Sequence, residues 1–140
     1  MTNIREAKNE DTDALEKIFQ ITRQKTFKLT PSKNFNIGDY KKSTEGEEVW
    51  VFEENGNIAG FISLWLPDNF IHNLFVHPDF QGRSIGQQLL KKAEERLCRP
   101  MALKVSMGNL KACLFYEKHG WEKISMHENE QEPYILFRKD

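Results

Sequence analysis

Apolar positions along the chain fall into short strand-like runs separated by stretches with helical spacing. At the centre, Phe70, Ile71, Leu74, Phe75 and Val76 form an apolar run that reads as a buried strand. His77-Pro78-Asp79 ends it, because proline offers no N–H to a ladder. Beyond the turn, Ile85, Leu89, Leu90, Ala93 and Leu97 share one face at helical spacing. The centre is therefore a strand, a turn bearing two glycines and a helix of about three turns or more.

The flanks read in the same way. Residues 2–7 predict a short first strand, and Asn9-Glu10-Asp11 supplies capping side chains for a helix with Leu15, Ile18, Phe19 and Thr22 on one face. Residues 26–46 are the least regular, with a short helix expected around 37–42. Residues 48–53 and 58–65 predict two strands, and Asn55-Gly56 between them is a hairpin signal because both tolerate positive φ. After the central helix come a fifth strand over 101–106 and a helix over 110–119 stopped by Gly120. Residues 121–126 and 134–138 then predict an antiparallel pair around a polar loop. Strands with interleaved helices around a central strand-turn-helix unit predict an α+β fold, a mixed α/β sandwich on one mixed sheet. A chain of 140 residues suits a single domain spanning 1–140.

Composition narrows the classes of partner. Hydrophobic residues at 39% and charged residues at 29% fit a globular protein, and a formal charge of -1 offers no basic field for nucleic acid. No run approaches membrane-spanning length and no secretory signal pattern opens the chain, so a cytoplasmic protein without a membrane partner is expected. Cys98 and Cys113 lie in stretches that read as helical, without C-x-x-C or metal spacing. Two reduced thiols and no metal site are the expectation. A homodimer is left open.

The turn from Gln81 to Gly86 carries the candidate chemistry. A helix start has backbone N–H groups without intrahelical partners and a partial positive charge, and glycine lets a bulky anion approach the backbone. Together they suit a phosphate. Neither G-x-G-x-x-G nor the Gly-Lys-Ser/Thr ending of a nucleotide loop is present. The segment resembles the acyl-CoA pyrophosphate loop of the GNAT superfamily of N-acetyltransferases, Gln/Arg-x-x-Gly-x-Gly/Ala. Gln81 and Gly86 match its ends, and Ser84 stands where the first glycine usually does. Leu74-Phe75-Val76-His77-Pro78 before the loop resembles the same superfamily. So do Asn109 and Phe115-Tyr116-Glu117-Lys118-His119-Gly120-Trp121 after it, and the opening Ile4-Arg5-Glu6-Ala7. The resemblance covers nearly the whole chain.

The resemblance implies a GNAT-like acyl-CoA N-acyltransferase fold whose mixed, mostly antiparallel central sheet is flanked by helices. The fourth and fifth strands would run parallel and splay, admitting the thioester between them. Acetyl-CoA is the implied co-substrate, with Leu74, Phe75, Val76, Gln81, Gly82, Arg83, Ser84, Ile85, Gly86, Gln87, Asn109 and Tyr116 as its contacts. Tyr116 is the implied acid near the sulfur, and a tyrosine packed between helix and sheet is the alternative. Asn109 is expected to cap the following helix and to meet the pantetheine arm. The glutamate that many members carry on the fourth strand is absent here. His72 takes its place as candidate base, since imidazole relays protons near neutrality. The amide of Phe75 or Val76, where the family strand bulges, would meet the oxyanion. Ser84 is expected to cap the next helix or to bond a phosphate oxygen. Phe27, Leu29, Phe35 and Tyr40 would wall an acceptor pocket, or simply form core.

The activity implied is N-acetyl transfer to a primary amine of a small molecule or protein, by direct transfer in a ternary complex. A CoA-binding regulatory module without catalysis, kept open by Ser84 and the missing carboxylate, is the reading from another class. An acyltransferase with a longer donor is the third.

Overall fold

The computed structural model describes residues 3–26 and 36–140. Phe27, Leu29 and Phe35 lie outside the described residues. Among the described residues, four α-helices and seven strands follow in the order β1 (Ile4–Glu6), α1 (Thr12–Thr26), α2 (Asp39–Ser43), β2 (Glu48–Glu54), β3 (Asn57–Trp65), β4 (Phe70–Val76), α3 (Ile85–Arg96), β5 (Met101–Ser106), α4 (Leu110–Lys118), β6 (Glu122–His127) and β7 (Tyr134–Lys139). The seven strands form one sheet in the order β1-β2-β3-β4-β5-β7-β6. Every neighbouring pair is antiparallel except β4 and β5, which run parallel. The mixed, mostly antiparallel sheet flanked by helices agrees with the fold expected from the sequence.

Local chemistry accounts for the elements. Asn55 and Gly56 take φ of 53° and 81°, as a tight β2–β3 hairpin requires. Asn109 caps α4, its Oδ1 accepting from the Ala112 N–H at 3.1 Å. Gly120 ends α4 with φ of 87°. Arg5 on β1 bonds both oxygens of Asp11, at 2.8 and 3.0 Å, and reaches Glu53 on β2 at 2.6 Å. The Arg5 guanidinium holds the Asp11 carboxyl below the ordinary carboxylate range, and this cluster ties β1 to the turn that opens α1. Cys98 lies past the end of α3 and is exposed, not helical as expected, because the helix stops at Arg96.

Two cores line the faces of the sheet. On one face Leu15, Ile18 and Phe19 of α1 and Tyr40 of α2 pack on Val51 and Phe61. Tyr40 meets Phe19 and Phe61 edge-on, so it is core. On the other, Leu89, Leu90 and Ala93 of α3 and Cys113 and Tyr116 of α4 pack on Ile62, Leu64, Ile71, Leu103 and Phe137. Strand β4 serves both cores, with Ile71, Leu74 and Val76 facing α3 and Phe75 facing α1. Strict alternation would put Ile71 and Leu74 on opposite faces. A β-bulge reconciles them: Ser63 pairs with Asn73 and Leu64 with Ile71, so His72 is the extra residue. The bulge sits at His72 and not at Phe75–Val76, where the resemblance placed it. The polar pair His72-Asn73, inside an apolar run, is where the chain can spare that residue.

Candidate active site

Strands β4 and β5 pair only at Phe70 with Ala102 and at Ile71 with Leu103. The bulge at His72 turns β4 away, while β5 stays zipped to β7 over six pairs. A cavity of about 590 Å³ opens between them. Its walls are Ile71 to Phe75 of β4, Leu103 to Ser106 of β5, Asn109, Ala112 and Tyr116 around α4, Phe19 and Arg23 of α1, Asp39, Lys42 and Ser43 of α2, and Glu132 to Tyr134 before and at the start of β7. That volume lies in the range of small-molecule sites. Of the residues singled out from the sequence, His72, Leu74, Phe75, Asn109 and Tyr116 meet here.

The backbone of β4 presents polar groups to this gap. The His77 N–H donates to the Ala59 carbonyl of β3 at 2.8 Å, and Phe61 faces Phe75 in register. Alternation then turns the amide of Phe75 toward β3 and those of Leu74 and Val76 toward the gap. Of the two amides named for an oxyanion, only that of Val76 faces the opening. Gly60 is required opposite this stretch, because a Cβ there would stand 2.7 Å from the Phe75 carbonyl oxygen.

Tyr116 is buried, its ring edge-on to Trp121 and tilted against Phe137. Its hydroxyl makes no hydrogen bond among the described residues, and burial pushes its pKa upward. His72 is half-exposed at the cavity wall, with Nδ1 2.7 Å from Glu47 Oε2. Glu47, just before β2, was not picked out from the sequence. Nothing in the local pattern marks it, because the contact joins residues 25 apart. Asn73 is buried and donates to Ser63 Oγ at 2.8 Å, fixing β4 to β3 beside the bulge.

Past β4 the chain makes a short 3-10 turn, Pro78–Phe80, stabilised by Asp79 N–H donating to His77 Nδ1. Gln81 Nε2 donates to the Val76 carbonyl at 3.2 Å. Gly82 and Ser84 take φ of 82° and 62°. Ser84 sits at the N-cap of α3 without a side-chain cap bond, so the expected serine cap does not form. The leading amides of α3, at Ile85, Gly86 and Gln87, therefore have no side-chain cap from Ser84. A Cβ on Gly86 would meet Phe115 at 3.7 Å and Val76 at 3.8 Å, ordinary van der Waals contact, so packing against β4 and α4 does not itself demand glycine here. Arg83 reaches Glu54 at 3.4 Å and lies over the Phe80 ring.

Cys113 is buried, and burial pushes its thiol upward; neither cysteine lines the cavity. No three His, Cys, Asp or Glu side chains gather as a metal site among the described residues. No described helix is long and apolar enough to cross a membrane.

A family model for the acetyltransferase (GNAT) family matches residues 12–121. A Bacillus subtilis protein described as a putative [ribosomal protein bS18]-alanine N-acetyltransferase is 29% identical over 85 residues, which cover 56% of this chain and 56% of that protein. The chain spans about half the length of the curated relatives it matches, 56% and 42% for two of them. Among solved structures, a GCN5-related N-acetyltransferase from Rhodopseudomonas palustris superposes with a TM-score of 0.78 at 22% identity, covering 100% of this chain and 96% of that one. The PaiA N-acetyltransferase of Thermoplasma acidophilum, solved in complex with coenzyme A, gives 0.75 at 20% identity, with 98% of each chain covered. These likenesses show the shared fold.

Proposed function

The chain belongs to the acetyltransferase (GNAT) family, and from that premise we propose that it moves an acetyl group from acetyl-CoA to a primary amine by direct transfer. The observation that carries this reading is the parting of β4 and β5 over a cavity holding both an imidazole and a phenol without a hydrogen-bond partner among the described residues. The whole described chain acts as one N-acetyltransferase domain in this reading.

The residues present fit the donor. Acetyl-CoA supplies an activated acyl thioester. Its extended arm would lie along β4, where the amides of Leu74 and Val76 face the gap, with Phe75 behind them and Asn109 opposite. Its phosphates would meet the first turn of α3 at Ile85, Gly86 and Gln87, reached over Gln81, Gly82 and Ser84. Arg83 would have to leave Glu54 to join them.

The acceptor enters as an ammonium and must lose one proton before it can attack. His72 takes that proton, the nitrogen lone pair attacks the acyl carbon, a C–N bond forms and the C–S bond breaks. The second N–H proton ends on the departing sulfur. Tyr116 serves the sulfur as a hydrogen-bond donor. Even at reference values, handing its proton to a thiolate would be uphill by about 2 kcal/mol, and burial raises the phenol further. A phenol that stays protonated is a stable partner for developing negative charge. Transfer through a cysteine is disfavoured, since neither thiol reaches the cavity.

The acceptor class we infer is an α-amine. The Bacillus subtilis relative is named for acting on an alanine, whose nitrogen is its α-amine. Acetyl-CoA should raise the melting temperature by mass action, a gain of about 2.7 kcal/mol at 100 times the dissociation constant. Turnover should then appear with a peptide beginning in alanine, and not with an N-blocked peptide offering only lysine. No thermal shift at millimolar acetyl-CoA would overturn the reading. A shift without turnover on any amine, or turnover only with longer acyl donors, would transfer it to a binding module or to a different acyltransferase.

A further inference from the structure

Glu47 and His72 form a pair whose surroundings give it a direction. The Glu47 side chain is only 7% exposed, and its Oε2 lies 2.7 Å from His72 Nδ1. Its other oxygen is buried without a hydrogen-bond partner. Among the described residues, no lysine or arginine forms an ion pair with this carboxylate. Around the cavity, Arg23 and Asp39 pair with each other at 3.3 Å, Lys104 stands over Tyr134, and Lys42 and Glu132 complete the wall, while Glu6, Lys8, Lys41, Lys42, Glu45 and Glu48 line an adjoining pocket with Glu47. A buried carboxylate whose side-chain partner is one imidazole holds that ring by its Nδ1–H.

We propose that Glu47 is the positioning residue for proton acceptance at His72. It fixes the Nδ1–H tautomer and leaves Nε2 as the lone-pair nitrogen that removes a proton from the acceptor. This rests on the reading of His72 as the base. One N–H bond of the acceptor ammonium breaks, its electron pair stays on nitrogen, and the proton goes to Nε2. Nδ1–H remains on Glu47 throughout. The imidazolium so formed faces the Glu47 carboxylate, whose Oε2 lies 2.7 Å from Nδ1. The proton then leaves Nε2 for solvent at the half-exposed face of the ring.

Two measurements test this. In ¹⁵N NMR of the neutral ring, His72 should show a protonated Nδ1 and a lone-pair Nε2, and Glu47→Ala should move it toward the Nε2–H form. A parent protein already in the Nε2–H form, or no change on substitution, overturns the proposal without any acceptor being needed. In turnover with acetyl-CoA and an alanine-initiated peptide, Glu47→Gln should lower kcat by about tenfold. It should leave the acetyl-CoA thermal shift unchanged. In a His72→Ala background Glu47→Gln should add nothing. Equal losses in both backgrounds remove the role of Glu47 alone, whereas a His72→Ala variant of undiminished kcat removes the base and this proposal with it.

Discussion

At the scale of single residues, Tyr116 and Ser84 separate what a side chain offers from what the backbone imposes. Tyr116 packs like any core tyrosine and makes no hydrogen bond among the described residues, so its oxygen is held at the cavity by ring contacts alone. Replacing it with phenylalanine keeps those contacts. We expect kcat to fall by about one to two orders of magnitude with acetyl-CoA affinity and melting temperature nearly unchanged. Single-turnover kinetics beside a calorimetric titration will show it, and an unaltered chemical step would return Tyr116 to the core. Ser84 looks like a helix cap in the sequence, since serine before an apolar helical run usually is one. Its φ of 62° shows that the position asks for a left-handed backbone instead. No pattern of side chains reports a dihedral angle, which is why the cap was expected and is absent.

At the scale of elements, the turn between β4 and α3 is where that dihedral has a measurable effect. A non-glycine residue in the left-handed region costs about 1–2 kcal/mol. Ser84→Gly removes that cost, less about 0.4–1 kcal/mol for the freer unfolded chain. A small rise in melting temperature is expected, with acetyl-CoA affinity within about tenfold, or ~1.4 kcal/mol. A clear loss of stability would mean that the hydroxyl does something the present contacts do not show. The neighbouring elements were legible because each depends on near neighbours. The hairpin at Asn55-Gly56, the Asn109 cap and the Gly120 stop are all written within four or five residues. The bulge was not, because it reflects a mismatch between β3 and β4 that only pairing reveals. Nor was Glu47, which reaches His72 across two intervening turns of chain.

At the scale of the molecule, seven strands make one sheet that is nearly two. Four strands lie on one side of the β4–β5 seam and three on the other, and two residue pairs hold the seam. Side chains of α3 and α4 bridge what the backbone leaves open, since Leu89 and Leu90 share a core with Phe137 and Tyr116. This has a consequence for amide hydrogen exchange. Along β4, the amides of Asn73 and Phe75 are locked to β3, while those of Leu74 and Val76 face an opening. Protection should therefore alternate residue by residue within one strand. Saturating acetyl-CoA should slow exchange at Leu74 and Val76 and leave Phe75 almost unmoved. Uniform slowing along β4 would instead mean that the donor stiffens the strand as a whole. In the expected case the donor stands in for a missing strand, and the sheet closes its hydrogen-bond ladder only while it holds its substrate.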